Sequence, residues 1–169
     1  AVGLYHVENL TPEAVRQGED LIKPDAQTYV IDDAELERVK ASYPCIWADA
    51  AAEPKLCFVG CPHLSLLQLK EWTENVCRTL SENGRTKVSV PTVFTAAPPV
   101  IKAFRATDEA KRLEKTGVIL AYICPLMYMN NPLAGKMPVI TNSNKLRTYT
   151  TSRYYTSAEI LDIITREAK

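Results

Sequence analysis

Leu66, Leu69, Trp72, Val76 and Leu80 recur at spacings of three and four, which predicts a helix with one apolar face. Ser65 with Gln68 three positions on supplies a capping box at its start, and Gly84 marks its end. Thr156 with Glu159 repeats the capping signal ahead of Ile160, Leu161, Ile163 and Ile164, predicting a closing helix. Thr11-Pro12-Glu13 opens a helix near the start, with Thr as cap and Pro in the first turn. Asp32 with Glu35 begins another that runs to about Lys40. After Pro98-Pro99 a helical stretch reaches Lys115, with a break near Thr107 and Gly117 beyond its end. Between these lie apolar runs of strand length: Ala1 to Val7, Lys55 to Gly60, Lys87 to Thr95, Val118 to Ile123 and Met137 to Thr141. The run from Val118 to Ile123 is continuously apolar, as in strands buried on both faces. Tyr43 to Pro54 reads as irregular and Pro132 to Lys136 as a turn-rich loop.

Strands alternating with helices of these lengths predict an α/β fold: a three-layer α/β/α arrangement around a mainly parallel sheet of about four to five strands, with right-handed crossovers. The length of 169 residues is that of a single α/β domain over residues 1–169. In a parallel sheet all carboxyl ends face one way. Two of the strand-like runs stop at Cys-Pro, Cys61-Pro62 and Cys124-Pro125, and proline bars further pairing. His6 with Glu8, Cys61 with His63, Cys124, and Thr141-Asn142-Ser143 should therefore emerge on one rim, where open α/β sheets bind ligands.

Composition narrows the function classes. Apolar content of 46%, charged content of 24% and 20 basic against 20 acidic residues describe an ordinary globular protein, so neither nucleic acid nor a membrane surface is an expected partner. No apolar run is long enough to span a bilayer and no signal peptide is visible, which makes the cytoplasm the expected compartment. Five cysteines at irregular spacing argue for reduced thiols over a disulfide framework. Cys57, mid-strand, and Cys77, on a helix face, read as core fillers. A zinc site on Cys57, Cys61 and His63 fails on reach, because four residues of strand span about 13 Å. Cys61 and His63, two apart beside a proline, seldom converge as nucleophile and base. The chain lacks an initiating Met, and with a strand expected almost from residue 1 it reads as a piece of a longer polypeptide.

Three strings carry a family resemblance: Tyr5-His6-Val7-Glu8-Asn9-Leu10-Thr11-Pro12-Glu13-Ala14, Gly60-Cys61-Pro62-His63-Leu64-Ser65-Leu66 and Thr141-Asn142-Ser143-Asn144-Lys145. In this order they resemble the C-terminal part of the large, catalytic chain of the aconitase X family, iron–sulfur hydro-lyases of the aconitase superfamily. The resemblance implies a dehydratase acting on a small anionic hydroxy acid, with an iron–sulfur cluster in the full-length enzyme and none in this fragment, which would be inactive alone. It implies Cys61 and Cys124 as metal ligands. Tyr122-Ile123 stands where the family usually has Asp-Thr before that cysteine. The implied partners are an N-terminal half, carrying a further cysteine, and a small swivelling domain or subunit. His6, His63, Asn142, Ser143 and Lys145 are the substrate-binding candidates, although Asn142 and Ser143 equally suit a turn and Lys145 a solvated surface charge. No catalytic acid or base is named. The alternative is a non-catalytic binding or assembly domain that keeps the fold.

Overall fold

The computed structural model describes residues 4–129 and 135–167. The chain divides into two compact units, residues 1–42 and 43–169.

The N-terminal unit holds α1 (Pro12–Gln17), a 3-10 turn (Gly18–Leu21) and α2 (Asp33–Ala41). Asp32 caps α2 as expected, its carboxylate accepting from the Glu35 N–H at 2.8 Å. Thr11 precedes α1 without capping it through its side chain. Its hydroxyl accepts from the Val7 N–H and donates to the Val7 carbonyl. The strand expected over Ala1 to Val7 does not form in its described part: Leu4, Tyr5, His6 and Val7 are exposed and join no sheet. A strand exists only by pairing, and here nothing supplies a ladder. Of this unit's large apolar side chains, Leu4, Tyr5, Leu10, Val15, Ile22, Tyr29, Val30, Ile31 and Leu36 face solvent.

The second unit is the α/β part. In chain order it contains β1 (Leu56–Leu64), α3 (Leu66–Glu82), β2 (Thr92–Ala96), α4 (Pro98–Arg105), α5 (Asp108–Lys115), β3 (Ile119–Ala121), α6 (Leu126–Met129), β4 (Val139–Thr141), α7 (Asn144–Tyr149), β5 (Arg153–Tyr154) and α8 (Ser157–Thr165). The five strands form one sheet in the order β3-β2-β1-β4-β5, and every pair is parallel. The chain winds outward from β1 through β2 to β3, then returns to the other side of β1 for β4 and β5. Strand order thus reverses between β1 and β4, the switch point at which open sheets leave a crevice beyond their carboxyl ends.

One sheet face carries the larger core. Cys57, Val59, Phe94 and Ile140 pack there with Leu69, Trp72, Val76 and Leu80 of α3, Ile101 and Phe104 of α4, Leu113 of α5, and Ile160 and Ile164 of α8. Both predicted capping boxes are present, Ser65 with Gln68 and Thr156 with Glu159. The break near Thr107 is real: its hydroxyl accepts from the Ala110 N–H and starts α5 as a separate helix. The opposite face is covered more thinly, by α6 and α7, through a cluster of Phe58, Met129, Val139 and Leu146.

Three strand expectations within this unit change. β1 does not stop at Cys61-Pro62: after a register shift it runs on to Leu64, which pairs with Ala96, so the proline interrupts the ladder without ending the strand. The strand begun at Lys87 starts only at Thr92, because Val88 and Ser89 give their N–H groups to Thr116 and Ile164 outside the sheet. The run from Val118 to Ile123 is not doubly buried. Among the described residues β3 is the last strand of the order and pairs only with β2, and Ile119, Tyr122 and Ile123 face solvent. Residues 130–134, with most of the expected Pro132 to Lys136 loop, lie outside the described residues.

Candidate functional site at the carboxyl ends of the strands

Residues of β1 up to Val59 pair regularly with β2, and the register then shifts before Leu64 meets Ala96. The cause lies in Gly60. Its φ of +112° belongs to the region that glycine alone visits easily, and a Cβ there would stand 2.4 Å from the Thr95 carbonyl oxygen. Thr95 in turn donates its hydroxyl to the Gly60 carbonyl at 2.6 Å. The backbone so bent continues through a cis Cys61-Pro62 bond. The irregularity changes the side-chain alternation, and half-buried Cys61 packs, like Leu56 and Val93, against the Phe58, Met129, Val139 and Leu146 cluster of the thinly covered face. His63 remains exposed.

Across the switch point, β4 ends at Thr141, which pairs with Phe58 of β1. Asn142 and Ser143 therefore leave the same edge, next to the strand that delivers Cys61. Ser143 is buried, and its hydroxyl accepts from the Leu146 N–H at 3.0 Å, capping α7. Asn142 is half-buried and donates its side-chain amide to the Ser157 hydroxyl at 3.2 Å. Lys145 is exposed on α7. Of the two readings of this run, the helix cap accounts for the Ser143 hydroxyl.

Cys124 is exposed, three residues beyond the end of β3, on the same carboxyl edge. In the sheet plane β3 lies two strand spacings from β1, about 10 Å. The chain then turns inward: the Cys124 carbonyl accepts from the Met127 N–H, and Leu126 and Met129 of α6 enter the cluster that contains Cys61. Leu126 follows Cys124 by two residues, which limits the separation of their Cα atoms to about 7.6 Å. Cys61 and Leu126, two residues beyond Cys124, thus pack against one cluster on the same sheet face. The other predicted cysteines stand apart: Cys57 is sealed in the core, where burial pushes its thiol up to about 12, and burial also raises that of Cys77. His6 belongs to the N-terminal unit, its Nδ1 4.0 Å from a Glu13 carboxylate oxygen.

Chemically this edge offers two soft sulfur donors, an imidazole, an amide and an ammonium group. Among the described residues no three His, Cys, Asp or Glu side chains converge to hold a metal ion. The two thiols fit an iron–sulfur group as part of a donor set, not as the whole of one. Two contributors escaped sequence reasoning. Thr95 needs the β1/β2 register to be seen opposite Gly60, and α6 is one short turn, signalled only by Leu126 and Met129 at a spacing of three.

Comparisons with known proteins identify the family. Residues 54–165 match the family described as the aconitase X third domain. The phosphomevalonate dehydratase large subunit of Thermococcus kodakarensis is 28% identical over 151 residues, covering 88% of this chain and 35% of that protein. The phosphomevalonate dehydratase large subunit of Methanosarcina mazei is 29% identical over 150 residues, covering 88% and 32%. The chain thus spans about a third of the length of the curated relatives it matches. The crystal structure of Thermococcus kodakaraensis aconitase X in its holo-form aligns with a TM-score of 0.62 at 22% identity, over 81% of this chain and 34% of that one, a likeness of fold.

Proposed function

This chain belongs to the aconitase X family, in the part described as its third domain, and from that membership we propose that it is one domain of an iron–sulfur hydro-lyase acting on a small anionic hydroxy acid. One observation supports the reading: Cys61 lies towards the carboxyl end of β1, beside the strand-order reversal and within the family-matched residues, and packs against the same apolar cluster as the segment that follows Cys124. The matched relatives are large subunits of a dehydratase, which supports the reaction class and a separate small partner chain.

An iron–sulfur cluster, when bound, supplies an iron that polarises a departing hydroxyl. Cys61 and Cys124 are the residues of this chain that would hold it, as thiolates, which are soft ligands suited to iron. The remaining donors come from elsewhere in the full-length protein, so the isolated chain is expected to carry no cluster and no activity. Phe58, Met129 and Leu146 shield one side of Cys61 from water. Lys145, His63 and the amide of Asn142 bind and orient the anionic groups of the substrate at the exposed side. Thiolate ligands require reduced cysteines, which suits a reducing compartment such as the cytoplasm.

A second reading, a non-catalytic binding or assembly domain, is favoured by Tyr122 and Ile123, apolar and exposed in the two positions before Cys124. Turnover separates the two. The large chain carrying this domain, joined by its small partner and loaded with iron and sulfide without oxygen, is expected to eliminate water from prolyl or phosphorylated hydroxy acids. No turnover of any of them would favour the second reading.

A further inference from the structure

The two edges of the sheet are finished differently. Along β5 the segment after Tyr43 closes the edge: the Trp47 indole N–H donates to the Thr151 carbonyl at 2.8 Å, Arg153 donates to the Ala50 carbonyl at 3.2 Å, and the Tyr43 ring meets Tyr154 edge-on at 5.6 Å. Along β3 no further strand pairs among the described residues. None of the usual guards of a bare edge is present there, since Ile119–Ala121 contains no proline, no lysine and no bulge. Ile119 is instead 58% exposed, Tyr122 61% and Ile123 47%. Beside them opens a cleft of about 430 Å³, lined by Ile101, Leu120, Tyr122 and Ile123 with Lys102 and Arg105 at its polar side. Neither cation forms an ion pair with a described residue. Both lie in the last turn of α4, where a positive charge also complements the helix dipole. Charge alone would therefore assign nothing, but here it borders an unpaired and apolar strand edge.

The N-terminal unit contains the complement. Residues 26–31 enter no helix, turn or strand, and Asp32 at their end has extended backbone. Among the described residues, no backbone N–H or carbonyl of residues 27–31 pairs with another backbone group. Their side chains, Gln27, Thr28, Tyr29, Val30 and Ile31, are of the β-branched and aromatic type that strands favour. Tyr29 is 69% exposed, Val30 72% and Ile31 67%. Acidic residues flank the run, Asp25 before it and Asp32 and Asp33 after it. Charge is split in the same sense across the whole chain: residues 1–42 carry nine acidic against four basic side chains, and residues 43–169 carry 11 against 16.

We infer that residues 27–31 of one copy of this chain add as a sixth strand to the free edge of β3 in a second copy, with the flanking aspartates against Lys102 and Arg105. The backbone groups left open on each side complete one another's ladder, and Val30, Ile31 and Tyr29 cover Ile119, Tyr122 and Ile123. This pairing does not rest on the dehydratase reading and holds for either function.

Sedimentation velocity over a range of concentrations tests it. A dimer that dissociates on dilution is expected. Val30→Pro, which removes one ladder N–H in a stretch outside every helix and strand, should weaken the dimer about tenfold. The double charge reversal Lys102→Glu/Arg105→Glu should weaken it as well, and adding Asp25→Lys/Asp33→Lys to that variant should restore it. A synthetic peptide of residues 25–35 should compete. A monomer at every concentration, or a dimer indifferent to both Val30→Pro and the charge reversal, would overturn the inference.

Discussion

Gly60 and Thr95 lock each other where the register of β1 shifts against β2: the Thr95 hydroxyl donates to the Gly60 carbonyl at 2.6 Å, and a Cβ on residue 60 would lie 2.4 Å from the Thr95 carbonyl oxygen. The contact is with backbone in the middle of a paired strand, which cannot swing aside. Gly60→Ala should therefore cost about 3 kcal/mol or more, from the positive φ and the overlap together. Urea unfolding measures this, and a loss under about 1 kcal/mol would mean that the strand exit relaxes freely.

Thr95 tests the same lock from the other side. Thr95→Val keeps the shape but leaves a buried carbonyl without its donor, for a loss of about 1–2 kcal/mol. The loosened exit should also make the Cys61 thiol several-fold more accessible to an alkylating reagent, whereas Thr95→Ser, which keeps the hydroxyl, should restore the slow rate. Equal alkylation in all three proteins would separate Cys61 from the Gly60–Thr95 contact.

Cys57 gives the chain a specific weakness in alkali. Burial moves its thiol from the ordinary 9.0 up to about 12, so between these values the unfolded chain has lost a proton that the folded chain keeps. The folded state then binds more protons, and stability falls as pH rises above 9.0, by up to about 1.4 kcal/mol for each pH unit. Below 9.0 this contribution is fully present. Cys57→Ala should be less stable at neutral pH through the cavity it leaves, yet lose less between pH 9 and 11. Parallel alkaline profiles for the two proteins would refute the assignment.

Ser143 is expected to matter for the fold more than for ligand binding, since its hydroxyl already accepts from the Leu146 N–H. Ser143→Ala should cost about 1 kcal/mol of stability. In the complete enzyme it should leave KM within about twofold, whereas Asn142→Ala and Lys145→Ala should raise KM. A large KM effect of Ser143→Ala at unchanged stability would return the residue to the substrate.

What the sequence made legible was mostly local chemistry. Ser65 with Gln68 and Thr156 with Glu159 announce their helices because capping is settled within four residues, and the Thr107 break is visible for the same reason. The common edge of Cys61, Asn142 and Cys124 followed from parallel pairing alone. Edge position did not: Val118 to Ile123 has the composition of a central strand, and only strand order reveals that β3 is last. Leu4 to Val7 has strand composition too, but pairing is a long-range event that no local pattern supplies. Thr95 stayed hidden because its partner lies 35 residues away across a register no pattern fixes.

Cys61, beside the reversal between β1 and β4, is the proposed thiolate ligand on which the dehydratase reading depends. Its most direct test is visible absorbance together with iron and sulfide content of the large chain with its small partner, loaded without oxygen, compared between the native protein and Cys61→Ser. The account predicts that the native protein binds a cluster and that Cys61→Ser, folded by circular dichroism, loses or destabilises it. Equal iron, equal sulfide and an unchanged spectrum in the two proteins would contradict it.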